Sequence, residues 1–195
     1  MGVVALRAPE VKMLSPLNYL IRLGHADILP EIYGRVLVPQ AVLDELQHPE
    51  APSDVRDWAS APPAWFARLR EIPFRQQGHR GRRAPPAAGA EKRDVEQIDV
   101  TLVAELGAGE RQAISLALEV HADVLLIDER AGRQEAEARH IEVAGTLAVL
   151  LQASLRGYFE FPQALNQLRQ YGFRASKAVE AVMLARYQKT KKLDP

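Results

Sequence analysis

The chain has 195 residues, 47% of them hydrophobic and 26% charged, with 25 Lys and Arg balanced by 25 Asp and Glu. That is the composition of an ordinary globular protein, long enough to bury a core as one domain, 1–195. The absence of cysteine excludes disulfide scaffolds, thiolate zinc sites and cysteine nucleophiles and agrees with a reducing cytoplasm. Apolar runs such as Val143 to Leu151 fall far short of the roughly 18 residues that span a bilayer, and the first residues lack the pattern of a secretory signal. A cytoplasmic chain with no membrane partner is expected. Zero net charge means that any phosphate-binding surface must come from local charge segregation.

In chain order, Ser15-Pro16 opens a first helix, with Ser as N-cap and Pro at the first helical position, and Leu17, Leu20 and Ile21 form its apolar stripe up to Gly24. A short helix is predicted over Asp27 to Tyr33, then a buried strand over Arg35 to Val38 halted by Pro39, and a helix over Gln40 to Gln47. Ser53 to Ser60 reads as a small helix and Trp65 to Ile72 as a strand. Glycines and prolines crowd among arginines from Pro73 to Ala90, a mobile basic loop that with its flank runs over 73–93. A helix is predicted near Val95 to Leu106, and after Gly107-Ala108-Gly109 a periodic helix over Glu110 to Val120. Then come strand Val124 to Ile127, helix Ala131 to Arg139, strand Ile141 to Val143, and a helix over Thr146 to Arg156 capped by Thr146 and ended by Gly157. Helices over Pro162 to Tyr171 and Ser176 to about Lys189 finish the chain. This β-α-β-α rhythm argues for a parallel sheet covered by helices on both faces.

Ligands of such sheets bind beyond the carboxyl ends of the strands. Four places qualify: Asp128-Glu129 directly after a strand, Asp44-Glu45 in the helix after Val36 to Val38, Glu110 at the start of its helix, and Thr146 after Ile141 to Val143. Carboxylates gathered at one edge suit Mg²⁺ or Mn²⁺, since close like charges need a cation to stay ionised together. Each has an ordinary alternative: Glu110 answers a helix dipole, and Asp44 and Glu45 fit a solvent face. Acids at several strand exits of one chain are what metal chemistry asks for and packing does not.

His25, His48, His79, His121 and His140 show no ligand spacing. There is no GxGxxG, no GxxxxGK[ST] and no GxSxG, which speaks against dinucleotide, P-loop and serine-hydrolase sites. From Arg68 to Arg93, eight basic residues stand against two acidic ones, a local charge of +6. Arg80, Arg82 and Arg83 are its centre, a candidate phosphate-contact surface that is equally a solvated loop.

Five ordered blocks carry a resemblance. Ser15-Pro16-Leu17-Asn18-Tyr19-Leu20, the stretch Arg35 to Leu46, Leu106-Gly107-Ala108-Gly109-Glu110-Arg111-Gln112-Ala113-Ile114, Leu125-Leu126-Ile127-Asp128-Glu129-Arg130 and Val143-Ala144-Gly145-Thr146-Leu147 together resemble a PIN domain. More narrowly they resemble bacterial and archaeal PIN-like proteins related to VapC-like toxins of toxin–antitoxin pairs. The resemblance implies a three-layer α/β/α sandwich with a central parallel sheet and a Mg²⁺- or Mn²⁺-dependent endoribonuclease site. By that match Glu45, Glu110 and Asp128 are the catalytic acids, these three with Glu129 the metal ligands, and Ser15 and Thr146 the hydroxyl residues beside the site. The chain departs from the pattern at the end of the first strand. Where the family carries Asp, two residues before Ser15-Pro16, it has Met13, which cannot ligate a hard cation.

The leading function is therefore a metal-dependent ribonuclease impaired at Met13, with RNA as substrate and a small antitoxin-like protein as a candidate partner. A catalytically inactive PIN-like module that binds nucleic acid or protein is the alternative. A receiver-like signalling domain ranks last, lacking the acidic cluster at the first strand and a suitable lysine after the last. Ala181, Val182 and Leu184 in the last helix offer an apolar surface for a homodimer and are accounted for equally by packing within the domain.

Overall fold

The computed structural model describes residues 15–63, 65, 89–93 and 106–192, and the side chains of 16–63, 65 and 106–192. Ser15–Arg22 forms α1, which buries Leu17, Leu20 and Ile21 on one face and closes into Gly24 at φ +73°, a left-handed turn that glycine adopts without strain. Ile28–Tyr33 forms α2, and Arg35–Pro39 forms β1. The helix predicted after that strand is α3, Gln40–Leu46, which buries Val42, Leu43 and Leu46; α4, Ser53–Ser60, buries Val55 and Ala59.

Gly89–Arg93 forms β2, parallel to β1 from Arg35↔Gly89 to Pro39↔Arg93. This corrects the end of the expected basic loop 73–93. The segment has no apolar alternation to announce a strand, and the ladder is supplied by the edge of β1, a non-local partner. The rest of that loop, including Arg80, Arg82 and Arg83, and the helix expected near Val95 to Leu106 lie outside the described residues, save Leu106. So does the strand expected over Trp65 to Ile72, save Trp65, which is helical.

Ala108–Val120 forms α5, Leu125–Leu126 β3, Arg130–Ala138 α6, Val143–Ala144 β4 and Thr146–Leu155 α7. β3 and β4 pair in parallel, Leu125 with Val143 and Leu126 with Ala144, and the bond from Ile127 N–H to the Ala144 carbonyl (2.9 Å) extends the ladder. The chain is thus a mixed α/β fold with parallel strand pairing. At the centre of the core lies α7, apolar around nearly its whole circumference, with Leu147, Val149, Leu150, Leu151 and Ala153 buried. It packs against α1, against α8 (Phe161–Gln170) and against α9 (Lys177–Lys191). An apolar cavity of about 350 Å³ lies between β1 and β3, lined by Leu17, Leu29, Val38, Val42, Leu116 and Leu125 among others. No described helix is long and apolar enough to cross a membrane.

Ser176 caps α9, its hydroxyl accepting the Val179 N–H at 3.2 Å. Ser176→Ala is expected to cost about 1 kcal/mol, a fall of roughly 2–4 °C in melting temperature for a chain of this length. A thermal melt checks it, and an unchanged midpoint would show that tertiary packing alone holds α9.

Candidate active site

Asp128 stands where the chain leaves β3. The parallel register, carried two residues past Leu126↔Ala144, sets it opposite Thr146. Its Oδ1 accepts the Thr146 N–H at 2.8 Å and its Oδ2 the Thr146 hydroxyl. Thr146 is fully buried. It does not cap α7 as the sequence predicts: the N-cap is Gly145, and the hydroxyl is spent on Asp128 instead. Burial holds the Asp128 carboxyl above its ordinary range, opposed by the bonds from Thr146 and by the Arg133 guanidinium. Tyr19 of α1 feels this corner too, since burial and then the field of Asp128 push its hydroxyl up.

Two glycines let charged groups crowd here. A Cβ on Gly145 would lie 2.6 Å from Asp128 Oδ1 and 3.0 Å from Arg133 Nη1, so both charged side chains occupy the space that a larger residue would fill. A Cβ on Gly132, in the first turn of α6, would meet Ile127 Cδ1 at 2.4 Å and Glu110 Oε1 at 3.5 Å. Glu110 therefore faces α6 one residue before Arg133. It is 4% exposed, and its Oε2 accepts the Gly107 N–H at 2.7 Å, satisfying a donor at the N-terminus of α5 whose dipole favours the negative charge.

The other candidates belong to α3, α6 and α1. Glu45 belongs to α3, which packs on α5, and its Oε2 is shielded from solvent. Ala41 N–H donates to Gln112 Oε1 at 3.1 Å, tying the start of α3 to α5. Asp44 is exposed and bonded to Gln40. Glu129 is the N-cap of α6, partly buried. Ser15 opens α1, and its side chain lies outside those described. Among the described residues no three His, Cys, Asp or Glu side chains converge to hold a metal ion. Of the four acids expected to share a cation, Asp128 is bonded to Thr146 and Glu110 to Gly107. What the fold does bring together is Asp128, Thr146 and Arg133 around Gly145, with Glu110 against Gly132 in the first turn of α6.

Arg133, Tyr19, Gly132 and Gly145 escape a reading based on acids. The available signal was Gly132 inside a helical pattern, a mark of close approach. The apolar cavity is a separate place, with Glu110, Asp128 and Thr146 all absent from its lining.

A family model described as a PIN domain matches residues 77–189. The match takes in Glu110, Asp128, Arg133, Gly145 and Thr146, while α1, β1 and Glu45 precede it. Searches among curated proteins and among solved structures return no match.

Proposed function

The chain belongs to the PIN-domain family, a nuclease-type fold, and from that premise we propose that it is a divalent-metal-dependent endoribonuclease of the toxin–antitoxin kind, impaired by Met13. The observation that carries this is Asp128, a carboxylate kept at a strand exit against the cost of its own burial and gripped through both oxygens by Thr146. Asp128 also satisfies the first N–H of α7, and buried carboxylates perturbed in this way concentrate at reactive sites.

The donors suit a hard cation in part. Glu110 and Asp128 offer carboxylate oxygens, and Mg²⁺ is commonly held by one or two carboxylates, with water and substrate phosphate completing its shell. Met13 contributes nothing where the resembled family has Asp. A bound cation would supply Lewis acidity and a more acidic water for attack on a phosphodiester. The chain's own work is orientation. Thr146 fixes both Asp128 oxygens, Gly107 fixes Glu110, and Gly145 gives Asp128 and Arg133 room to approach. Glu45 and Glu129 serve as outer acids in this reading, and single-stranded RNA is the substrate. A small antitoxin-like protein is the candidate partner in the cytoplasm, and the exposed Val179 and Val182 of α9 mark a face for a homodimer.

The test is cleavage of labelled single-stranded RNA by highly purified protein. Cutting is expected with Mg²⁺ or Mn²⁺, to stop in EDTA, and to be lost in Glu110→Ala. Cutting that persists in both conditions sinks the assignment. Met13, together with the lack of a three-acid group among the described residues, favours one other reading, a PIN-like module that binds RNA or protein without turnover. Salt-dependent RNA binding with no cleavage in Mn²⁺ would select it.

A further inference from the structure

Among the described residues, Arg133 has few bonded partners for a partly buried cation. Its guanidinium makes one hydrogen bond, a long one of 3.5 Å from Nη1 to the Ile127 carbonyl, and no ion pair among the described residues. Other partly buried arginines are engaged differently. Arg22 pairs with Asp54 at 3.4 Å and lies over the Tyr171 ring, and Arg139 pairs with Glu135 at 2.5 Å. Arg133 sits in the second turn of α6, and its side chain leans back toward the N-terminal end of the helix, as helical side chains do. There its Nη1 comes to the same spot over Gly145 that Asp128 Oδ1 occupies, 3.0 Å and 2.6 Å from where a Cβ would stand. Arg133 already acts on Asp128 through its charge, but its planar fork has N–H donors that no described residue takes up, and phosphate matches their two-pronged geometry.

We propose that Arg133 is the substrate-binding residue that takes hold of a phosphate of single-stranded RNA at this corner, presenting the strand to Asp128. The substrate named here rests on the nuclease reading, but the contact itself needs neither metal nor turnover. Thr146 and Gly145 make it possible. One ties Asp128 back through both oxygens, and the other leaves space for guanidinium and carboxylate side by side.

The experiment measures anisotropy of a 5′-labelled 12-nucleotide RNA with the full chain in EDTA, over a salt series, for wild type, Arg133→Gln and Arg133→Lys. Loss of one phosphate contact makes the log K against log salt slope shallower by about 0.7 on a single strand, and that is expected for Arg133→Gln, along with weaker binding. Arg133→Lys is expected to keep the slope, because the charge stays, yet bind about threefold to tenfold more weakly, because the fork is lost. A merely structural arginine would leave the slope alone in both. Wild-type slope in Arg133→Gln, wild-type affinity in Arg133→Lys, or no salt-dependent binding by the wild type overturns the proposal. The two ideas fail separately. RNA held through Arg133 but never cut in Mn²⁺ removes the nuclease and leaves the contact, whereas cutting abolished by Glu110→Ala with binding indifferent to Arg133 does the reverse.

Discussion

Asp128→Asn is expected to reduce RNA cleavage by about 10²–10³-fold and, in EDTA, to raise the melting temperature at pH 7. The two effects have one cause. Burial lifts the Asp128 carboxyl above its ordinary value of 3.8, so near neutrality the folded chain carries an ionised group that its surroundings disfavour, despite Thr146 and Arg133. A raised folded-state value means that the stabilising contribution is present below pH 3.8 and is lost as pH rises through the folded value. The variant should therefore gain on the wild type as pH rises and lose that advantage in acid. Asn preserves the local geometry, since its Oδ1 can accept the Thr146 N–H and its Nδ2 can donate to the Thr146 hydroxyl. Melts from pH 3 to 8 check the sign. A variant that melts lower than wild type at pH 7 would show that Thr146 and Arg133 outweigh burial. A stability gain bought with lost chemistry is the exchange that a functional acid makes.

The elements that the sequence announces are those with local signals. Ser15-Pro16 and Gly24 bracket α1, Ser53–Ser60 is α4 to the residue, and α8 repeats Phe161, Ala164, Leu165 and Leu168 at core-facing spacing. β2 was illegible because Gly-Ala-Glu-Lys-Arg becomes a strand only through β1, more than fifty residues earlier in the chain. The positions of the acids could be read, since strand exits follow from the element order. Where their side chains turn could not. Thr146 has the look of a cap at the start of its helix, and only the register between β3 and β4 shows that its hydroxyl belongs to a residue 18 positions earlier. Arg133 was hidden for a related reason: Asp-Glu-Arg-Ala-Gly-Arg reads as a solvated helix start until Gly145 is seen to leave room for its guanidinium.

Gly145→Ala tests whether that room matters. The backbone there, φ −100° and ψ 173°, is extended and open to any residue, so the cost of a methyl group is purely steric. Its Cβ would sit 2.6 Å from Asp128 Oδ1 and 3.0 Å from Arg133 Nη1. The guanidinium is the end of a long side chain and can withdraw, but the carboxylate is short and held by two bonds from Thr146. Either those bonds break or the β4–α7 turn shifts, at an expected cost of about 1–3 kcal/mol for overpacking, roughly 2–4 °C in melting temperature per kcal/mol at this length. Cleavage should fall with it, because Asp128 loses its orientation. The clash belongs to a pair, so the same substitution made in an Asp128→Ala background, where the opposing carboxylate is gone, should cost less by about 0.5–3 kcal/mol. Denaturant melts of the four proteins give that coupling. Strictly additive costs would mean that the methyl group is accommodated by moving Arg133 alone, and that Asp128 is not held where Thr146 and Gly145 place it.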